Sequence, residues 1–237
     1  MMDNKPLNKK ELESIFLTSG AFNPKGLYLG EGFRKQALEL GFPPYILPTE
    51  INIVLHYSPE LSVRTFVSTL WNTGASLTEV IHLERKSFVF KSPRPYVKVL
   101  SSETESLSLD NDNRLSPRRK IPLLSPYYIA QVKLLIATLK IAGNTCGDST
   151  KPRRIWDVDN FIATSWIDNA IKHARLDGVI FPVEVTPDAI KHAFAMNMLI
   201  LGVEPSIVMK LMGFKRNKWL EIYLKVKCLI MSLERDM

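Results

Sequence analysis

The chain has 237 residues, 46% of them apolar, and its 31 Lys and Arg outnumber its 24 Asp and Glu to leave a net charge of +7. That is enough material to bury a full core without help, and the charge excess fits a polyanionic partner as well as an ordinary enzyme. Two cysteines, Cys146 and Cys228, without CxxC spacing indicate neither a disulfide framework nor a zinc site, and no apolar stretch reaches the ~18 residues of a membrane span.

In chain order, residues 1–47 carry two short helical patterns, "NKKELESIFL" and "GEGFRKQALELG", closed by "FPPYILP", and read as an arm or small subdomain. From Pro48, "TEINIVLHY" and "SVRTFVSTLWNTGASLTEVIHL" have apolar residues at spacings of three and four, which predicts core helices, the second interrupted at Gly74. After Gly74, Leu77, Val80, Ile81 and Leu83 fall on the inward side and Glu79 on another. "SFVFKS", "PYVKVLSS" and "RRKIPLL" alternate with period two and predict a small antiparallel sheet, with the acidic stretch "ETESLSLDNDNRLSP" as a hairpin tip. Helical patterns resume in "SPYYIAQVKLLIATLKIAG", "DVDNFIATSWIDNAIKHARLDG" and from Thr186 onward. The expected fold is mainly α with a small antiparallel β-sheet, residues 48–237 forming the main domain.

Within "TPDAIKHAFAMNMLILGVEPSIVMKLMGF", Ile190, Ala193, Phe194, Met198 and Leu201 make one apolar face ending at Gly202, and a short helix follows from Pro205 to Gly213. Helix, glycine turn and helix also outline a helix-turn-helix reader. A recognition helix must offer side chains to base edges, and "PSIVMKLMG" offers little beyond Ser206 and Lys210.

The order and wording of "LWNTGASLTEVIHL", "RRKIPLL", "IWDVDNFIATSWIDNAIKHARLDGVIF" and the stretch from Asp188 to Tyr223 resemble the catalytic domain of the tyrosine recombinases, in flavour closest to plasmid-encoded resolvases. The resemblance runs from about Pro48 to Leu229. It implies a fold built for strand transfer, in which a tyrosine attacks a DNA phosphodiester. Two arginines, a lysine and two histidine-type residues there meet the developing charge and move protons. Carried over residue by residue, Tyr223 matches the nucleophile. Ser76 stands where the first arginine is expected, Asp188 and Lys191 stand at the two ends of the His-x-x-Arg pair, and Phe214 replaces the histidine or tryptophan after "LMG". Lys98 or Lys120 matches the hairpin lysine. His192 reads as a structural histidine, while His56, His82 and His173 fit no metal pattern.

Losing one preorganised donor commonly costs ~100-fold to ~1000-fold in rate, and a carboxylate at position 188 repels phosphate. The expectation is therefore a DNA-binding protein with a degraded catalytic centre, a transcriptional regulator or architectural factor that does not cleave. An active recombinase using Tyr223 is the first alternative, and a protein-interaction module without DNA the second. Duplex DNA is the expected partner, no cofactor is expected, and the setting is the bacterial cytoplasm, on a plasmid or nucleoid. Phosphate contacts are expected from Arg118, Arg119, Lys120, Arg153, Arg154, Lys191, Lys215, Arg216 and Lys218. The 47 leading residues are too few for the ~100-residue clamp domain of the family, and Glu103, Glu105, Asp110 and Asp112 should repel DNA. The stripe of Leu229, Ile230 and Leu233 suits either a neighbouring protomer or the chain's own core.

Overall fold

The computed structural model describes residues 30–100, 118–143, 154–214 and 217–235. Nine α-helices and one three-stranded sheet occur among them. Helix α1 spans Glu31–Glu39, α2 Pro48–His56, α3 Leu61–Thr73 and α4 Leu77–Ile81. Strands β1 (Phe88–Val89), β2 (Tyr96–Leu100) and β3 (Arg118–Pro122) follow, then α5 (Pro126–Gly143), α6 (Asn160–Leu176), α7 (Pro187–Ile200), α8 (Pro205–Met212) and α9 (Asn217–Arg235).

The ends of the helices follow from local chemistry. Pro48 and Pro187 occupy first-turn positions where no amide hydrogen is needed. The Thr186 and Asp159 side chains accept from Ala189 N and Ile162 N, capping α7 and α6. Gly74 ends α3 at φ 58°, the left-handed region that side chains resist. A Cβ there would also clash with Phe194 Cδ1 and sit 2.7 Å from Met212 Sδ, so side chains of α7 and α8 both pack against the helix break expected at this residue.

Helix α3 is the central element: Phe66, Val67 and Leu70 are wholly buried, and α5 and α7 pack on it. The segment read as an arm contributes to the same core through Phe33, Ala37, Phe42, Tyr45 and Ile46. Each of Phe33, Phe42 and Ile46 contributes about 1.5–3 kcal/mol on burial. Arg34, 3% exposed, donates from Nη1 to both carboxylate oxygens of Glu50 at 2.9 and 2.8 Å and so ties α1 to α2. At the other end Ile230 is buried, and Leu229 and Leu233 pack against the chain's own core.

The strands are antiparallel in the order β1-β2-β3, with Val97 opposite Ile121, Lys98 opposite Lys120 and Val99 opposite Arg119. Side chains alternate between faces along each strand, so Val97, Val99, Ile121 and Arg119 share the inner face. Tyr96, Lys98 and Lys120 occupy the outer one. "NKKELESIFL", the acidic stretch, Arg153, Lys215 and Arg216 lie outside the described residues, as does the side chain of Arg118.

Candidate functional site

The positions singled out in the sequence converge where α4, β3, α7, α8 and α9 meet. One wall of the site is polar. Ser76 caps α4: its hydroxyl accepts from Glu79 N at 3.3 Å, and Glu79 Oε2 accepts from Ser76 N at 2.8 Å, a reciprocal capping box. The same carboxylate receives the fork of Arg119, Nη1 on Oε1 and Nη2 on Oε2 at 2.7 Å. Arg119 Nε donates to the Leu211 carbonyl at 2.8 Å, near the end of α8. A Cβ at Gly213 would come within 2.8 Å of Arg119 Nη1, so the turn after α8 leaves room for the guanidinium only because that residue is glycine.

Glu79 and Arg119 side chains are 4% and 13% exposed, which makes this an inward tie rather than a surface contact. Burial alone would raise the Glu79 pKa, but the hydrogen bonds and charge of Arg119, helped by Ser76 and Lys191, outweigh it and hold the carboxyl below its ordinary range. Arg119 was expected as a phosphate contact. The register turns it the other way, because it shares the inner face with Val99 and Ile121, and its fork is already engaged.

The other wall is aromatic. Trp219 stacks on Phe214 at 4.4 Å and 9°, and on His192 at 5.5 Å and 25°. Tyr223 lies beside Trp219 and Phe42, at centroid distances of 6.3 and 5.8 Å. Tyr223 is fully buried, and neither its hydroxyl nor His192 Nδ1 has a hydrogen-bond partner among the described residues. Burial pushes the Tyr223 phenol well above its ordinary pKa, further from the phenolate that a nucleophilic attack requires. Burial, with the charge of Lys191, depresses His192 to about 4 against the opposing pull of Asp188, so the imidazole is neutral near pH 7.

Lys191 bridges the two walls: its Nζ lies 4.8 Å from the Phe214 ring centroid, and its charge reaches Glu79. Asp188 is exposed in the first turn of α7, where a carboxylate is favoured by the helix dipole. Ser76, Lys191, Phe214 and Tyr223 are thus gathered with Glu79 and Arg119 in one cluster of contacts. Lys98 and Lys120 stand outside it, on the opposite face of the sheet from Arg119. Arg154 is exposed, its backbone pairing with that of Glu84 in an isolated antiparallel β-bridge, and Lys218 is exposed in the first turn of α9. On α8, Ser206 and Lys210 are exposed while Pro205, Val208 and Met212 are buried.

The pairing of Glu79 with Arg119 and the roles of Phe42 and Trp219 are not apparent in a linear reading. The alternation of "RRKIP" does carry one clue, since it puts Arg119 in phase with Ile121. Among the described residues no helix is long and apolar enough to cross a membrane, and no group of His, Cys, Asp and Glu is placed to hold a metal ion.

No family model matches the chain. It is 35% identical to a resolvase of Escherichia coli over 192 residues, which cover 78% of this chain and 74% of the relative. Among solved structures it resembles XerA recombinase, with a TM-score of 0.58 and 16% identity over 82% of this chain and 64% of that one. It also resembles XerH site-specific recombinase bound to its difH substrate, with a TM-score of 0.57 and 14% identity, covering 77% of this chain. The chain spans half the length of that XerH. The fold is that of the tyrosine recombinase catalytic domain, and with a resolvase 35% identical across 74% of its length, this chain belongs to the tyrosine recombinase family.

Proposed function

We propose that the chain binds duplex DNA through this fold without cutting it, and serves as a regulator or architectural factor at its site. The observation that carries the reading is the state of Tyr223: its ring lies beside Phe42 and Trp219, and its hydroxyl is buried with no hydrogen-bond partner among the described residues. The rest of the pocket agrees. A serine used as a helix cap stands at the first arginine position, an exposed carboxylate stands at 188, and the guanidinium present is held by Glu79. Phosphoryl transfer needs forked donors aimed at the pentacoordinate phosphorus, and little here is aimed that way.

The retained basic groups support binding. Lys191 and the exposed Arg154 and Lys218, with Lys215 and Arg216 between α8 and α9 in the sequence, suit a phosphate backbone. That XerH was solved on its DNA substrate supports the same partner. A second reading, an active recombinase, is favoured by one observation: Arg119 and Lys191 bring two cations to the pocket even though the family positions differ. It requires α9 to release Tyr223 and Arg119 to leave Glu79.

A gel shift on duplex fragments at low and moderate salt, beside a denaturing gel of the same reactions on a nicked substrate, separates the readings. Salt-sensitive shifts without a covalent adduct are expected. An adduct that disappears in Tyr223→Phe would establish the recombinase, and no shift at low salt would leave an interaction module.

A further inference from the structure

The outer face of the sheet is a different surface from the pocket. Lys98 and Lys120 are direct cross-strand partners, and like charges so placed repel. Lys120 is exposed, Lys98 and Tyr96 are half-buried, and Leu100 beyond them is 41% exposed, as expected of a face left open. The helices that meet the sheet, α4 at β2 and α8 at β3, gather around the inward-turned Arg119. Lys120 Nζ rests 5.3 Å from the centroid of the Tyr96 ring, which orients the ammonium without neutralising it. Lys91 and Arg94, both exposed, extend the positive surface into the turn between β1 and β2.

The charge pattern behind this face is one-sided. Residues 85–143 contain eleven Lys and Arg against four Asp and Glu, and all four acids lie in the stretch that joins β2 to β3. Lys86 is paired with Glu84 just outside and Arg119 with Glu79, but Lys98 and Lys120 face each other. A compact array of ammonium groups with one aromatic ring and no carboxylate in its own strands is complementary to a polyanion. Lysine ammoniums act as point charges on phosphates without reading sequence, which suits a nucleic-acid backbone. Arg119 is tied to Glu79 on the inner side of the sheet, and Lys191, whose charge reaches Glu79, sits on that side too, so a duplex held at Lys191 lies across the sheet from Lys98 and Lys120.

We propose that the outer sheet face, Lys98 and Lys120 with Tyr96, Lys91 and Arg94, binds the phosphate backbone of a second DNA segment, so that one molecule joins two duplexes. This rests on the DNA-binding reading above and extends it to a bridging architecture.

The test is capture. Protein is loaded at low salt on an immobilised duplex, and retention of a second, fluorescent duplex is measured per first duplex bound. Wild type is expected to retain the second duplex, with a steep salt dependence. The Lys98→Glu/Lys120→Glu double variant should lose about tenfold of that normalised capture. Lys98→Ala/Lys120→Ala, which removes repulsion rather than adding it, should lower the salt slope of capture by about two, near 0.9 per phosphate contact. Far-ultraviolet circular dichroism and a thermal melt report whether each variant is folded. If wild type holds the first duplex but captures no second, or if folded variants capture as wild type does, the bridging proposal is overturned while the DNA-binding reading stands. If wild type holds no duplex at low salt, both fall.

Discussion

The two walls of the pocket solve their polar groups in opposite ways. On the polar wall each group is satisfied: Ser76 and Glu79 cap one another, Arg119 closes a two-pronged contact on the carboxylate, and Leu211 takes up the remaining Nε–H. On the aromatic wall two polar atoms, the Tyr223 hydroxyl and His192 Nδ1, are buried without hydrogen-bond partners among the described residues. A satisfied network stabilises and fixes geometry, whereas an orphan buried group costs free energy that the surrounding packing must offset. The contrast teaches that the cation in this pocket acts as a structural tie, and that the tyrosine is held by shape.

The comparison is broken most directly at the polar wall. Glu79→Gln removes the charge that Arg119 is buried against and should destabilise by about 3 kcal/mol, read as a lower midpoint in urea unfolding. A variant within ~0.5 kcal/mol of wild type would show that Arg119 swings out to solvent instead. On the aromatic wall, His192 sharpens the contrast through pH. Its folded pKa of about 4 lies below the unfolded value of 6.5, so the unfolded chain binds the proton first. The stabilising effect of neutral His192 is complete above 6.5 and is lost as pH falls toward 4, by on the order of 3 kcal/mol at most. Replacing it by Phe should flatten the stability curve in that window. The Glu79 contribution runs in a lower window, since its depressed pKa means that it is lost only as acid protonates the carboxylate.

Tyr223→Phe deletes one of the orphans and should leave stability unchanged or raise it by up to ~1 kcal/mol, with DNA retention as in wild type. A clear loss of stability would reveal a partner for the hydroxyl. The smallest effect lies outside both walls: Lys218→Ala should leave the melting temperature in place and lower the salt slope of DNA binding by about one, equally on unrelated fragments.

Much of the fold was legible because it is written in local periodicity. The two- and three-to-four-residue patterns located the sheet and the core helices, and Gly74 marked a real break whose reason, the approach of Phe194 and Met212, is tertiary. The pocket was legible only as a set of positions. Family spacing gathered Ser76, Lys191, Phe214 and Tyr223, but the fate of each depended on partners remote in sequence. Arg119 meets Glu79 across the sheet, and Phe42, in a segment read as an appendage, lies against Tyr223. Lys98 and Lys120 looked alike as candidate lysines for the site, and pairing register alone placed both on the outer face.

The contact between Arg34 and Glu50 sets a practical limit on dissecting this protein. A fragment beginning at Pro48, the boundary that sequence pattern suggests, would strand the Glu50 carboxylate inside the molecule and strip Phe42 from the ring of Tyr223. Shortened versions made for crystallisation or for fusion to a reporter should therefore keep Arg34 and Phe42 with the rest of the fold.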